Sequence, residues 1–293
     1  MEDIVKKFRL NHKIHDSSFN VNSIEHYELL FMVEHKNLRV AIMDTRENKC
    51  VFLEDYKFSQ INTTQDFVHC LEELALAHSM LQAGYWKDIK LSFRNENFTF
   101  IPEELFIKEK SLEYLTLNER FTKNKYYHFS HTRNGITCVF VAESLIVDWF
   151  RKVYPNINIH YSHQAEALMI GALNTEIKET TSVHVCVENR YMNLLVLRDG
   201  KPIISNVFHY QSPQDFAYFI LFVYDELQLD INTCPITLYG EISPDSNIFA
   251  LIYKYIRHVH FATKPAKISF SHQFDEILTH RYFDLYSMYF LDK

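Results

Sequence analysis

Two glutamates occupy positions where chemistry could take place, because each ends an apolar run and begins a short polar turn. Glu34 closes the run 29–33, and Glu188 closes the run 183–187. Carboxylates at such positions suit Mg²⁺, which keeps several of its waters and needs only one or two acidic ligands from the protein. The competing interpretation is that each glutamate is a solvated acid at the end of a strand.

Glycine is scarce in this chain, with 5 residues among 293. A backbone that approaches a phosphate closely, or points several N–H groups inward, needs positive φ angles that only glycine adopts at little cost. The turns after the two glutamates read His35-Lys36 and Asn189-Arg190, and the chain contains neither a G-x-G-x-x-G nor a Walker A motif. We therefore expect no cofactor, with ATP and Mg²⁺ as the alternative.

Histidine and cysteine patterns predict no metal site. The sixteen histidines include H-x₂-H pairs, but no cysteines or carboxylates nearby complete a known zinc-binding spacing. The five cysteines stand singly among apolar residues, which is typical of buried and reduced thiols. No serine or cysteine nucleophile motif occurs either, so the sequence favours a protein that is not an enzyme.

Basic and aromatic residues alternate in the segment 120–133, which includes Arg120, Lys123 and Arg133 beside Phe121 and Tyr127. This pattern could combine phosphate contacts with base stacking. An edge strand protected by lysines produces the same pattern, and the formal net charge of -7 at pH 7 favours that interpretation. A nucleic-acid-binding module is therefore a third possibility, and nucleic acid is not the expected partner.

Composition indicates a globular protein, with 47% hydrophobic and 23% charged residues. The longest apolar run, residues 216–224, is far shorter than the roughly 20 residues that a membrane-spanning helix needs. The first residues begin with acids and lack the apolar segment of a secretory signal. We therefore expect a cytoplasmic protein without a membrane span.

The elements that must position these residues occur in one order, which is used twice. In the first half, residues 29–58 form three apolar runs separated by polar turns, which predict a three-stranded meander. Thr63 and Asp66 have the spacing of a capping box, in which each side chain bonds the backbone N–H of the other residue. The box predicts the start of an amphipathic helix, and residues 89–93 predict the strand that follows it.

The second half repeats this order. Residues 183–208 predict another meander, Ser212 and Asp215 another capping box, and residues 236–239 the strand that follows the helix. Ser212 lies 149 residues after Thr63. The repeat predicts an internal duplication, in which residues 29–93 superpose on 183–239.

The fold class that follows is α/β with two related halves. We place the first half at residues 1–161, with an inserted segment at about 95–137 that contains short strands and polar turns. The second half covers residues 162–293. Each half should bury its own core, because both are long enough for a domain.

This repeated order resembles the duplicated ribonuclease-H-like topology of the actin-like ATPase superfamily. The alanine-rich segment 163–171 is similar to the superfamily's interdomain helix, and residues 236–240 resemble the strand that leads to its adenosine-contacting glycines. In texture the chain is nearest to the actin-like proteins of pilus assembly and type II secretion, and to uncharacterised bacterial proteins with an actin-like fold.

The resemblance implies two domains with mixed sheets, helices on the sheet faces and a central cleft. Glu34 and Glu188 would stand where the superfamily places the aspartates of its phosphate loops, and Gly240 would be a remnant of its adenosine loop. The turns after both glutamates lack glycine, and Glu241 follows Gly240 in place of a second glycine. We therefore interpret Glu34 and Glu188 as vestigial cleft acids of a pseudo-ATPase.

The C-terminal segment 281–290 carries more aromatic residues than one strand face can bury. As a closing strand, it would send Tyr282 and Tyr286 to one face and Tyr289 to the other. Tyrosine is enriched in interfaces because it joins an apolar ring to a polar hydroxyl. We therefore predict a protein interface at Tyr282, Tyr286 and Tyr289, and the alternative is a strand buried on both faces.

The leading interpretation is a non-catalytic actin-like protein that serves as an interaction or scaffold module. Its expected partner is another protein or a second copy of itself. The alternative from the enzyme class is a divergent Mg/ATP-dependent phosphotransferase or ATPase that uses Glu34 and Glu188.

Overall fold

The computed structural model describes residues 8–115, 126–175 and 180–291. The chain divides into two compact units. The first comprises the residues up to Gln164 together with Ile268–Phe274, and the second comprises Ala165–Lys267 and the residues from Asp275 onward. Each unit contains strands, helices and a buried apolar core, which confirms the predicted α/β class.

The first unit is built around a mixed sheet. Its elements in chain order are β1 (Phe8–His15), β2 (Tyr27–Glu34), β3 (Asn37–Asp44), β4 (Lys49–Phe58), α1 (Thr64–Ala77), β5 (Asp88–Phe93), β6 (Phe98–Pro102), β7 (Tyr126–Arg133), β8 (Ile136–Glu143), α2 (Ser144–Val153) and β9 (Ile159–His163). The main sheet has the strand order β1-β4-β3-β2-β5-β9. Strands β2, β3 and β4 form the predicted antiparallel meander. Strands β5 and β9 extend it in parallel, because α1 and α2 carry the chain back across the sheet.

The second unit repeats this architecture. From the interdomain segment onward its elements are α3 (Gln164–Leu173), β10 (Thr181–Val187), β11 (Tyr191–Arg198), β12 (Lys201–His209), α4 (Pro213–Glu226), β13 (Ile236–Gly240), α5 (Asn247–Ile252), β14 (Val259–Phe261) and α6 (Phe283–Ser287). The strand order β12-β11-β10-β13-β14 reproduces β4-β3-β2-β5-β9 of the first unit, with the same strand directions. This correspondence confirms the predicted internal duplication.

Both predicted capping boxes are present. The Thr63 hydroxyl accepts from the backbone N–H of Asp66 at 3.2 Å, and the Asp66 carboxylate accepts from the backbone N–H of Thr63 at 2.9 Å. Ser212 and Asp215 make the same two hydrogen bonds at 3.1 and 3.0 Å. The boxes satisfy N–H groups that the first turn of a helix otherwise leaves unpaired, so α1 and α4 begin at equivalent places.

The inserted segment forms a separate small sheet with the strand order β6-β8-β7. Arg133 lies on β7, which stands at the edge of this sheet, as the edge-strand interpretation of the basic segment expected. Residues 116–125, which hold Arg120, Phe121 and Lys123, lie outside the described residues.

The predicted closing strand at residues 281–290 is wrong. Residues Phe283–Ser287 form α6, and Met288–Phe290 continue as a 3-10 helix. Tyr282, Tyr286 and Tyr289 recur at i, i+4 and i+7, and this spacing places them on one face of a helix. That face is buried, with exposed fractions of 0%, 3% and 1% for the three tyrosines. The predicted interface is corrected accordingly, because these side chains are not accessible to a partner.

None of the described helices is long and apolar enough to cross a membrane.

Candidate functional site

Glu34 lies at the carboxyl end of β2, and its side chain is 21% exposed. The Asn37 side-chain amide donates a hydrogen bond to Glu34 Oε2 at 3.0 Å, and Arg94 Nη1 lies 3.8 Å from the same oxygen. Arg94 is the residue after β5, and its side chain is only 1% exposed. A buried guanidinium requires a carboxylate to offset its lost hydration, so Glu34 has a structural task within its own unit.

A small cavity beside Glu34 has a volume of about 90 Å³. Its polar wall includes Glu34, Arg94, Asn95 and Glu143, and the Thr64 hydroxyl donates a hydrogen bond to Glu143. Pockets that bind small organic ligands and cofactors are about 300–1,000 Å³. The cavity can therefore hold water molecules but not a nucleotide.

The turn after Glu34 does not form an anion-binding loop. His35 and Lys36 are the two loop residues of a tight hairpin, in which Glu34 pairs with Asn37. Neither loop residue is among the described residues with positive φ. A backbone nest for phosphate needs a residue in the left-handed conformation, so this turn does not gather N–H groups around one point.

Glu188 follows β10 in the second unit and is 4% exposed. Its backbone N–H donates to the Tyr191 carbonyl at 2.9 Å, and its own carbonyl accepts from the Tyr210 hydroxyl at 2.5 Å. Burial, with a smaller contribution from the Glu188 charge, raises the pKa of Tyr210 to about 12, so the hydroxyl remains a donor at neutral pH. The backbone at this turn is thus held by groups of the same unit.

Gly240 ends β13 with a φ of +82°. A Cβ atom at this position would lie 2.2 Å from the Val187 carbonyl oxygen and 3.1 Å from the Val187 nitrogen. The close approach of two neighbouring strands therefore requires glycine here. This structural requirement explains Gly240 without an adenosine loop.

The second unit contains a buried cluster of polar side chains that was not predicted from the sequence. Ligand-type atoms of Cys186, Glu188 and Asp284 all lie within 4.8 Å of one another, and Cys186 Sγ lies 3.7 Å from Asp284 Oδ2. Cys186 and Glu188 are two residues apart and share a face of the extended chain, which was a usable signal. Asp284 lies on α6, whose helical structure the sequence reading did not predict.

A cavity of about 560 Å³ lies on the same face of the second sheet. Its walls include Ser182, His184, Tyr239 and Phe283. The two ring nitrogens of His184 lie 2.9 Å from the Ser182 hydroxyl and 2.8 Å from the Tyr239 hydroxyl. Burial lowers the pKa of His184 to about 4, so this imidazole is neutral at physiological pH.

The family model described as "Protein of unknown function (DUF3822)" matches residues 16–259 of the chain. No curated protein matches the chain. The solved structures similar to this chain include the following two, which match over most of their length. A Bacteroides thetaiotaomicron protein with an actin-like ATPase fold and unknown function shares 15% identity over 84% of this chain and 94% of its own, with a TM-score of 0.75. A chain of the PilM–PilN type IV pilus biogenesis complex shares 12% identity over 90% of this chain and 97% of its own, with a TM-score of 0.53.

Identities this low show the fold alone, and they confirm the predicted actin-like fold. They also agree with the predicted likeness to pilus-assembly proteins and to uncharacterised bacterial proteins of this fold.

Proposed function

The chain belongs to the family described as "Protein of unknown function (DUF3822)", and we propose that it is a non-catalytic actin-like protein that binds another protein, or a second copy of itself, through the outer face of α4. That face carries Tyr218 and Phe222, which are 61% and 43% exposed. Their rings stack with centroids 6.1 Å apart and planes inclined by 23°. We call this pair the α4 aromatic face.

The observation that carries the proposal is the difference between α4 and α1, its counterpart in the first unit. Both helices have 14 residues and begin after equivalent capping boxes, so their positions correspond one by one. Their buried faces are alike, since Phe67 of α1 corresponds to Phe216 of α4, and Leu71 corresponds to Ile220. The shared architecture explains these matching apolar residues.

The outer faces of the two helices differ. His69 and Glu73 of α1 occupy the positions that Tyr218 and Phe222 occupy in α4. The same fold position therefore accepts polar side chains, and the packing of the helix does not require aromatic residues there. Exposed aromatic pairs are typical of binding surfaces, because burying them in a partner contributes a large share of binding energy.

The surroundings of Glu34 and Gly240 favour a protein without catalytic activity. The turn after Glu34 lacks both glycine and positive φ, and the adjoining cavity is too small for a nucleotide. Gly240 is explained by its contact with Val187. These features favour a pseudo-ATPase over the Mg/ATP-dependent alternative.

PilM provides a precedent for a protein-binding role of this fold, since its solved structure is a complex with PilN. The likeness concerns the fold alone, so it supports protein binding as a class of function and does not identify a partner.

The proposal is tested by giving α4 the outer residues of α1. The double variant Tyr218→His and Phe222→Glu should weaken association at least about tenfold, because interface aromatics each contribute on the order of 1–2 kcal/mol. Sedimentation velocity over a range of concentrations measures self-association. Binding to another protein is measured by purifying the tagged chain from its native cells and quantifying the proteins that co-purify with it.

The matched control is Leu76→Glu, which removes another exposed apolar side chain (79% exposed) from the end of α1. It should leave association unchanged, and neither variant should shift Tm by more than about 2 °C, because surface substitutions change stability by roughly 0.5 kcal/mol or less. The proposal is wrong if the wild-type chain does not self-associate and if no protein co-purifies with it in a way that the double variant on the α4 aromatic face abolishes.

A further inference from the structure

A group of polar side chains is buried on one face of the second sheet, where apolar packing would be expected. Cys186 on β10 is 0% exposed, Glu188 at its end is 4% exposed, and Asp284 on α6 is 1% exposed. Their ligand-type atoms lie within 4.8 Å of one another. Three acidic groups this close cannot all ionise in a buried site unless a positive charge accompanies them.

Asn193 is a fourth polar side chain at the same place. It is 0% exposed, and neither atom of its amide has a hydrogen-bond partner among the described residues. The register of β10 and β11 pairs Asn193 directly with Cys186. Opposed residues of antiparallel strands project from the same face with Cβ atoms about 4.5–5.5 Å apart, so the amide points to the side on which Cys186 lies. A buried amide without hydrogen-bond partners is unfavourable, and a ligand for its oxygen would offset that cost.

The distance between Cys186 and Asp284 fits coordination of a metal ion. Zinc binds thiolate sulfur at about 2.3 Å and carboxylate oxygen at about 2.0–2.2 Å, so a tetrahedral site places the two ligand atoms about 3.5 Å apart. The observed distance between Cys186 Sγ and Asp284 Oδ2 is 3.7 Å. We propose that Cys186, Glu188 and Asp284 bind one zinc ion, with Asn193 Oδ1 as the fourth ligand.

The ligand types select zinc over magnesium. Magnesium takes oxygen ligands in octahedral geometry, whereas thiolate favours a softer ion such as zinc. Four protein ligands close the coordination sphere, which is typical of a structural rather than a catalytic ion. The ion joins α6 to β10, and the Cys186 thiol releases its proton to solvent as the bond to zinc forms.

The cavity of about 560 Å³ lies beside the proposed zinc site, although none of the four ligand residues lines it. Tyr239, which pairs with Cys186 in the register of β10 and β13, lines this cavity together with Phe283, the chain neighbour of Asp284. An ion that enters the cavity therefore reaches residues adjacent to the cluster. This zinc site is independent of the protein-binding role proposed for α4.

The wild-type chain, purified with any affinity tag removed, provides the first test. After incubation with zinc and exhaustive dialysis, elemental analysis should find about one zinc per chain, because a closed structural site holds its ion tightly. Cobalt in place of zinc should produce a thiolate-to-metal charge-transfer absorption, which added zinc removes and added magnesium does not. Absence of bound zinc or of this absorption would overturn the proposal.

Variants then assign the ligands. Cys186→Ser and Asp284→Asn should each lower zinc affinity at least about tenfold, and Asn193→Ala should lower it while leaving the thiolate absorption of the cobalt form in place. The control is Cys234→Ser, which removes a buried thiol of the same unit that lies 3.7 Å from the Thr181 carbonyl oxygen, and it should keep full zinc content. A folded Cys186→Ser variant that retains its zinc would contradict the assignment. If that variant fails to fold, the cobalt spectrum of wild type and Asn193→Ala decides.

Discussion

Gly240→Ala is expected to lower the free energy of unfolding by at least about 3 kcal/mol. An L-residue in the left-handed conformation costs about 1–2 kcal/mol, and Gly240 has a φ of +82°. The new Cβ would also stand 2.2 Å from the Val187 carbonyl oxygen, which accepts a hydrogen bond from the Glu241 N–H at 2.7 Å. Relief of this contact requires two adjacent strands to separate, because the Val187 oxygen belongs to the backbone and the position of a Cβ is fixed by its own backbone. Urea unfolding measures the loss.

Two other glycines separate the contributions to that loss. Gly135 has a φ of +73° with open space around its Cβ direction, so Gly135→Ala should cost only about 1 kcal/mol from backbone strain. Gly84 has open space and no positive φ, so Gly84→Ala should be neutral or stabilise by about 0.4–1 kcal/mol. Equal effects of Gly240→Ala and Gly135→Ala would show that the strands do not approach as closely as described.

Glu54→Gln is expected to cost about 3 kcal/mol at pH 7. Glu54 lies on β4 with 0% exposure, and its carboxylate oxygens lie 3.0 Å from the nearest ring nitrogens of His15 and His78. The Tyr56 hydroxyl also donates to it. Burial raises the pKa of Glu54, but the hydrogen bonds from these three side chains outweigh it and hold the pKa at about 2. The displacement from 4.5 corresponds to about 3 kcal/mol in favour of the ionised form.

The same displacement sets the pH dependence. Because the pKa of Glu54 is lower in the folded chain than in the unfolded chain, its stabilisation is present above about pH 4.5 and disappears as the pH falls towards 2. The difference in unfolding free energy between wild type and Glu54→Gln should therefore shrink as the pH falls from about 4.5 towards 2. The control is Glu25→Gln, since Glu25 forms an exposed pair with His26 at 3.4 Å and should contribute less than about 1 kcal/mol. A difference that does not change between pH 2 and 5 would rule out the ionised, hydrogen-bonded carboxylate.

The sequence predicted those parts of the fold that are determined by residues close together in the chain. A capping box needs two residues three positions apart, so Thr63 with Asp66, and Ser212 with Asp215, located the starts of α1 and α4. Since each box followed a predicted meander, the pairs also revealed the duplication. The turn between β11 and β12 is equally local, because Asp199 and Gly200 both adopt the positive φ that a primed two-residue turn demands.

The unpredicted parts depend on contacts distant along the chain. Residues 281–290 carry aromatic side chains that fit a period of two as well as a helical period, and burial around Tyr282 and Tyr286 selects the helix. The cluster of Cys186, Glu188 and Asp284 combines a strand with a helix 98 positions later, which a local motif cannot connect. The partners of Glu34 were missed for the same reason, since Arg94 lies at the end of a different strand.

Thermal unfolding with and without Mg-ATP tests most directly whether this actin-like fold lacks nucleotide chemistry. A ligand that binds only the folded chain stabilises it by about 2.7 kcal/mol at a hundredfold excess over its dissociation constant, which is a rise of several degrees in Tm. We predict no change beyond about 1 °C at millimolar Mg-ATP, because the turn after Glu34 lacks a phosphate cradle and its cavity is too small. A rise of several degrees that Glu34→Gln removes would show that the chain binds nucleotide, and it would favour the phosphotransferase or ATPase alternative.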